Sequence, residues 1–142
     1  MVEFKVKTRA TGSTASMAQH GPASLVTETG GTLEVVTSVS DPGFNPLDLL
    51  YSSLSACLVL SVKGAVVKLH LLEKFSGVRV HVTGQKAPKG LSRVAEISAE
   101  IQIGGDLSDE ERHQIVALAK ELCTVSNTLV QTPTFTVTAQ PM

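Results

Sequence analysis

With 142 residues, 42% of them apolar and 18% charged, and no tryptophan, the chain has the composition of one globular domain with an aliphatic core, not of a disordered segment. Its formal charge of −1, with lysines and arginines scattered, argues against a nucleic-acid or anionic-membrane surface. The alternating start MVEFKVKTRATG does not read as a secretory leader, and two cysteines in such a chain fit a reducing compartment, so a cytoplasmic protein is expected.

Val2, Phe4 and Val6 alternate with Glu3, Lys5 and Lys7, which predicts a half-buried strand. Ala10 to Pro22 is rich in Thr, Gly, Ser and Ala and reads as a loop. Ser24 to Thr29 and Thr32 to Val39 read as strands joined by Gly30-Gly31, a two-residue hairpin signal. The turn Ser40 to Phe44 then delivers the chain to a long helix, Asn45 to Lys68. Asn45 suits the N-cap, Pro46 the first helical position, and Asp48 can reach back to the free N–H groups of the first turn. Leu47, Leu50, Leu54, Leu58 and Val62 form one apolar face; Leu49, Ala56, Leu60 and Val67 form a second. A soluble helix patterned this way is expected to be buried on most sides. Its uncharged run, Leu49 to Val62, falls short of the roughly 20 residues that cross a bilayer. Gly64, at about 1 kcal/mol relative to alanine, marks a place near which the helix could loosen or end.

Beyond the helix, Val78, Val80 and Val82 alternate with Arg79, His81 and Thr83, and Ile97, Ala99, Ile101 and Ile103 alternate with polar residues. Both are strands, with a turn at Lys86 to Gly90 between them. Ser108 and Glu111 form a capping box ahead of a helix striped with Ile115, Leu118, Ala119 and Leu122. A short helix over Thr124 to Gln131 and a final strand through Phe135, Val137 and Ala139 complete the chain. Hairpins on either side of the long helix predict a mostly antiparallel α+β fold, with residues 1–142 as a single domain. One small sheet cannot cover both apolar faces of the helix, so a second copy of the chain is the expected cover.

Cys57 and Cys123 are the strongest candidates for chemistry. A thiol reacts as the thiolate, which a cation or helix N-terminus favours. Cys57 lies mid-helix among small and apolar residues, whereas Cys123 precedes a turn whose N–H groups (Thr124, Val125, Ser126) can favour an anion. Free cysteine is also among the most buried residue types, so inert packing is an open reading for both. Asp48 is first a helix-start residue, and Arg9 reads as an exposed strand residue. His20, His81 and His113 read as solvated surface, Tyr51 as core, and Ser126 and Asn127 as caps of the last helix. A zinc site from the two cysteines and a histidine lacks paired ligand spacing.

Two motifs carry a resemblance. Asn-Pro-x-x-Leu at Asn45 to Leu49 is followed by Ser-Ala-Cys at Ser55 to Cys57, and Cys-x-x-Ser-Asn runs from Cys123 to Asn127 behind an amphipathic helix. In this order they resemble the OsmC family (osmotically inducible protein C and organic hydroperoxide resistance proteins) over nearly the whole chain. The resemblance implies an OsmC-like fold and an intertwined homodimer whose long central helices are wrapped by sheets from both chains. It also implies thiol-dependent peroxidase activity on organic hydroperoxides in oxidative-stress defence, with Cys57 peroxidatic and Cys123 resolving. No metal or flavin is implied, and no nucleic-acid or membrane partner is expected. The implied reductant is a dithiol, which in the best-studied branch is a lipoyl group.

This chain departs from the hydroperoxide-resistance branch at two places. Leu47 stands where that branch has a glutamate, with Asp48 one residue on and about 100° around the helix. The branch arginine of the loop after the first strand has no counterpart in Ala10 to Pro22, leaving Arg9 as the stand-in. The implied catalytic set is therefore Cys57, Cys123, Arg9 and Asp48, in a chain closer to the less characterised OsmC-like branches. Two rivals follow: a non-enzymatic dimer holding a small hydrophobic ligand at its interface, and a structural domain with two buried thiols.

Overall fold

The computed structural model describes residues 10–142; the expected strand at Val2 to Val6 and the candidate Arg9 lie outside the described residues. The chain divides into two units, Met1–Ser52 and Ser53–Met142.

In the first unit, β1 (Ser13–Ser16), β2 (Ala23–Thr27) and β3 (Thr32–Val35) form an antiparallel sheet in that order. β1 corrects the expected loop. Its residues STAS are all exposed and have no apolar face, so side-chain periodicity could not reveal it. The backbone ladder holds it, from Ser13 opposite Thr27 to Ser16 opposite Ser24. The β2–β3 hairpin is present, but its connection spans residues 28–31 rather than two glycines. Gly30 takes φ +90°, and the Gly31 carbonyl accepts from Thr27 N–H at 2.9 Å.

α1 (Pro46–Lys68) starts where its capping residues predict. Asp48 N–H donates to Asn45 Oδ1 at 2.9 Å and Asn45 N–H to Asp48 Oδ2 at 3.0 Å, a reciprocal cap that satisfies two otherwise free donors. The helix runs unbroken through Gly64, and a Cβ at that position would meet Leu122 at an ordinary 3.7 Å. At 23 residues α1 is, as a whole, long and apolar enough to span a bilayer, unlike its uncharged run alone. Its inward stripe nevertheless packs on protein.

The second unit holds the rest of α1, a 3₁₀ turn (Leu72–Lys74), the long antiparallel pair β4 (Phe75–Lys86) and β5 (Val94–Gly105), α2 (Asp109–Leu122) and α3 (Thr124–Val130). Val78 faces Ile103 and Val80 faces Ile101 on one side of the ribbon, while Arg79 faces Gln102 and His81 faces Glu100 on the other. Alternation with period two thus sorts the residues into a core face and a water face. The core joins Val62, Ala65 and Val66 of α1 to Ile103 of β5, Leu107, and Ile115 and Ala119 of α2.

Two expectations fail in instructive ways. The helix α1 is not buried on most sides, because Leu60 remains 74% exposed and Val67 50% exposed. The expected final strand does not form, and Phe135 and Val137 stand exposed. A strand needs a neighbour for its N–H and C=O groups, and residues 132–142 pair with no strand among the described residues.

α1 ends on His70 in the left-handed region (φ 58°), with Leu71 N–H reaching the Val66 carbonyl at 2.9 Å and His70 N–H the Val67 carbonyl at 3.1 Å. This is the helix stop that glycine ordinarily fills. Removing the Cβ there relieves about 1 kcal/mol of backbone strain, so His70→Gly is expected to raise the urea unfolding midpoint, and an unchanged or lower midpoint would contradict the assignment.

The turn into α2 is tied down from several directions. Ser108 and Glu111 make the expected capping box, Glu111 N–H to Ser108 Oγ at 3.1 Å and Ser108 N–H to Glu111 Oε2 at 2.8 Å. Lys74 Nζ bonds Glu111 Oε1 at 2.7 Å, which raises the Lys74 pKa and lowers that of Glu111. Arg112 donates to the carbonyls of Ile103 (3.1 Å), Gly105 (3.2 Å) and Leu107. The sequence does not announce this clip, because no spacing rule marks an arginine that binds main-chain oxygens.

Candidate functional site

Cys123 is delivered by helix periodicity. Ile115, Ala119 and Cys123 follow one another at intervals of four on the inner stripe of α2, and all three are completely buried. Cys123 closes α2 and opens α3, with its side chain taking the N-cap role: Sγ accepts from Ser126 N–H at 3.4 Å, and the Val125 N–H also acts on it. Cys57 projects from α1 and is half-buried. Both sulfurs belong to the second unit, and packing of α1 against α2 brings Cys57 near enough to act on the Cys123 thiol. Both are free thiols.

Burial pushes the Cys123 thiol up; the Ser126 N–H opposes this, and the bond to Cys57 together with its charge push it up further. The folded protein therefore holds this proton to a higher pH than the unfolded chain does. For an acid raised in this way, the unfolded state releases its proton first, so stability falls as pH rises above the ordinary thiol range. The unfolding free-energy difference between the wild type and Cys123→Ser is expected to shift against the wild type between about pH 7 and about pH 10. Parallel chemical-denaturation curves over that span would contradict this.

The other sequence candidates distribute differently. Asp48 lies nine positions before Cys57 on α1, with its carboxylate engaged in the helix cap. Arg9 lies outside the described residues. Lys63 sits over the Phe75 ring at 5.1 Å from its centroid, an arrangement that stabilises the cation electrostatically. Among the described residues, no group of three or more His, Cys, Asp or Glu is arranged to hold a metal ion. A depression of about 510 Å³ over the β4–β5 ribbon is lined by Gly77, Val78, Arg79, Gln102, Ile103 and Gly104, and so includes neither thiol. Sequence reasoning passed over Ser61, buried one turn beyond Cys57; its signal was a hydroxyl at the i+4 position on the inward stripe of an apolar helix.

Antiparallel sheets with one long apolar helix define an α+β fold, and it carries two neighbouring thiols. Residues 39–138 match the family model described as OsmC-like protein, and the chain belongs to the OsmC family. Solved structures agree in fold. An OsmC-like protein from Mycoplasma pneumoniae superposes with a TM-score of 0.74 at 18% identity, over 87% of this chain and 89% of that one. An organic hydroperoxide resistance protein from Elizabethkingia anophelis gives 0.71 at 19% identity, over 89% and 91%. The organic hydroperoxide resistance protein OhrB of Bacillus subtilis gives 0.66 at 16% identity, over 87% and 93%. No curated protein sequence matches the chain.

Proposed function

We propose that this protein is a thiol peroxidase that reduces organic hydroperoxides in oxidative-stress defence, with Cys57 attacking and Cys123 resolving. The observation that carries the reading is the closeness of the two thiols, one part-exposed and one buried. Relatives named as organic hydroperoxide resistance proteins share the fold and support the substrate class.

The Cys57 thiolate attacks the terminal peroxide oxygen. An S–O bond forms, the O–O bond breaks, and the departing alkoxide takes up a proton to leave as an alcohol. Sulfur is oxidised to the sulfenic acid and the peroxide is reduced. Cys123 sulfur then attacks the Cys57 sulfur; the S–O bond breaks, and the hydroxyl leaves as water with the Cys123 proton. A dithiol, of the lipoyl type in this reading, reopens the disulfide by two exchanges and is itself oxidised. Arg9 and Asp48 complete the proposed set as the cation and carboxylate nearest in sequence to the branch pattern. Free thiols suit a reducing cytoplasm. The match over residues 39–138 spans both units and supports reading the chain as one domain. Mass spectrometry after one equivalent of organic hydroperoxide tests the proposal: loss of both thiols with a mass decrease of about two protons supports it, and two intact thiols would overturn it.

The working form in this reading is a homodimer, supported by the exposed Leu60 and Val67 on an otherwise apolar helix. The wild type is expected to sediment as a dimer and Leu60→Glu as a monomer, since a charge cannot be buried there unpaired. A wild type that stays monomeric at micromolar concentration would end the dimer reading. A second reading, a non-enzymatic dimer holding a small hydrophobic ligand, is favoured by Leu47 standing where the peroxidase branch has a glutamate. Inertness to peroxide together with a copurifying apolar ligand would select it.

A further inference from the structure

We infer that the tip of the β4–β5 ribbon docks on an anionic lipid surface, with Leu91 entering the interface and Lys86, Lys89 and Arg93 meeting the headgroups. The connection from Lys86 to Arg93 reads KAPKGLSR and holds three cations and no acid. Ala87 N–H donates to the Arg93 carbonyl at 2.9 Å, which closes the neck and leaves residues 88–92 projecting beyond the ladder. Gly90 turns the chain there with φ +84°, and nothing lies within 4 Å of where a Cβ would stand, so the apex is open. Leu91 follows it and is 85% exposed, and all three cations are exposed as well. The ion pairs among the described residues, Lys74–Glu111 and Arg112–Asp109, involve none of the three. The nearest acid along the chain is Glu96, which lies opposite Gln85 below the neck.

A chain of formal charge −1 thus gathers three positive charges around one bare aliphatic side chain. Phe135 and Val137 are similarly exposed, but they belong to residues 131–142, which carry no charged side chain. Shape selects the occupant. A hairpin tip is convex, so a folded acidic partner needs a matching pocket for the leucine, whereas a bilayer yields around it. Nucleic acid offers phosphates to the cations but no apolar medium to the leucine. At a lipid interface, burial of apolar surface and attraction to anionic headgroups act together. Each cation close to such a surface favours binding about fivefold, and burying the leucine side chain favours it about tenfold. The attachment is reversible, and salt weakens it because the charges stay in water. Scatter of lysine and arginine along the whole chain does not weigh three of them on one projecting turn. In the peroxidase reading, this contact holds the protein where apolar hydroperoxides partition; the binding itself does not depend on that reading.

The test uses the full chain, no peroxide, and sedimentation with vesicles of phosphatidylcholine alone or with about 30% phosphatidylglycerol, in about 0.1 M salt. The wild type is expected to sediment with the anionic vesicles and not with the neutral ones. Lys89→Gln is expected to weaken binding about fivefold, and Leu91→Ser about tenfold. Lys120→Gln, which removes the same charge from the exposed side of α2, is expected to bind like the wild type. Leu91→Trp supplies a second readout, because the chain has no tryptophan of its own. Its emission is expected to shift to shorter wavelength with anionic vesicles as the apex leaves water. A wild type that stays in solution with anionic vesicles would overturn the inference. So would equal losses in Lys89→Gln and Lys120→Gln, which would show a response to net charge alone. Leu91→Ser binding like the wild type, or an unshifted Leu91→Trp emission, would mean that the leucine does not enter the interface and would equally overturn it. Retention on immobilised polyglutamate without vesicle binding would assign the tip to an acidic protein instead. A protein that binds vesicles yet leaves hydroperoxide intact would sink the peroxidase reading alone; hydroperoxide consumption without vesicle binding would sink this inference alone.

Discussion

Cys57→Ser is expected to abolish hydroperoxide consumption, lowering kcat/KM by at least about 10³-fold, while leaving the melting temperature close to that of the wild type. The substitution is small, at a half-buried position on α1 outside the buried core. An alcohol stays protonated where a thiol ionises, and oxygen in its place cannot cycle through sulfenic acid and disulfide. Hydroperoxide loss followed by a coupled dithiol assay measures the effect. Cys123→Ser is expected to behave differently: the first turnover survives, Cys57 accumulates as sulfenic acid or a mixed disulfide, and steady-state turnover falls. Unchanged consumption in Cys57→Ser would remove the peroxidase assignment and leave the ligand-holding dimer as the reading to pursue.

The largest structural effect is expected at Gly105. It closes β5 with φ +128°, and a Cβ there would stand 2.0 Å from the Lys74 carbonyl oxygen and 3.0 Å from Phe75 Cα. These are main-chain atoms held in place, since the same Lys74 oxygen accepts from Asp106 N–H at 2.9 Å and the Gly105 oxygen accepts from Arg112. Gly105→Ala is therefore expected to cost about 3 kcal/mol or more, a fall in melting temperature on the order of 10 °C. Gly90 makes the control, with φ +84° and nothing within 4 Å of where a Cβ would stand. Gly90→Ala carries strain without collision and is expected to cost about 1 kcal/mol. Equal losses at the two positions would show that the close approach to Lys74 contributes nothing. The turn at Gly105 leads through Leu107 and the capping box into α2, so its disruption is also expected to make Cys123 more accessible to alkylation.

How far the sequence reached depends on whether a feature is local. The caps of α1 and α2 were legible because each consists of side chains three residues apart bonding the nearest backbone, as Asn45–Asp48 and Ser108–Glu111 do. The β4–β5 ribbon was legible because its two faces meet different media, leaving a period of two in Val78, Val80 and Val82 and in Ile101 and Ile103. β1 was not, because Ser13–Ser16 has no buried face and is held only by its ladder to β2. The expected final strand fails for the converse reason: alternation makes a segment suitable for a sheet but does not supply a neighbour, and residues 132–142 pair with no strand among the described residues.

By itself the sequence determined the helices and their capped starts, the α+β class, and the two cysteine motifs, since capping and amphipathic period act over a few residues and are written along the chain. Only the tertiary structure decided that Cys57 and Cys123, 66 positions apart, lie near enough to interact, that one is buried and the other part-exposed, and that one face of α1 is left uncovered. Those outcomes come from how α1 and α2 pack through Val62, Val66, Ile115 and Ala119. Contact between distant segments depends on shape and volume summed over the whole core, and no spacing within a single segment encodes it.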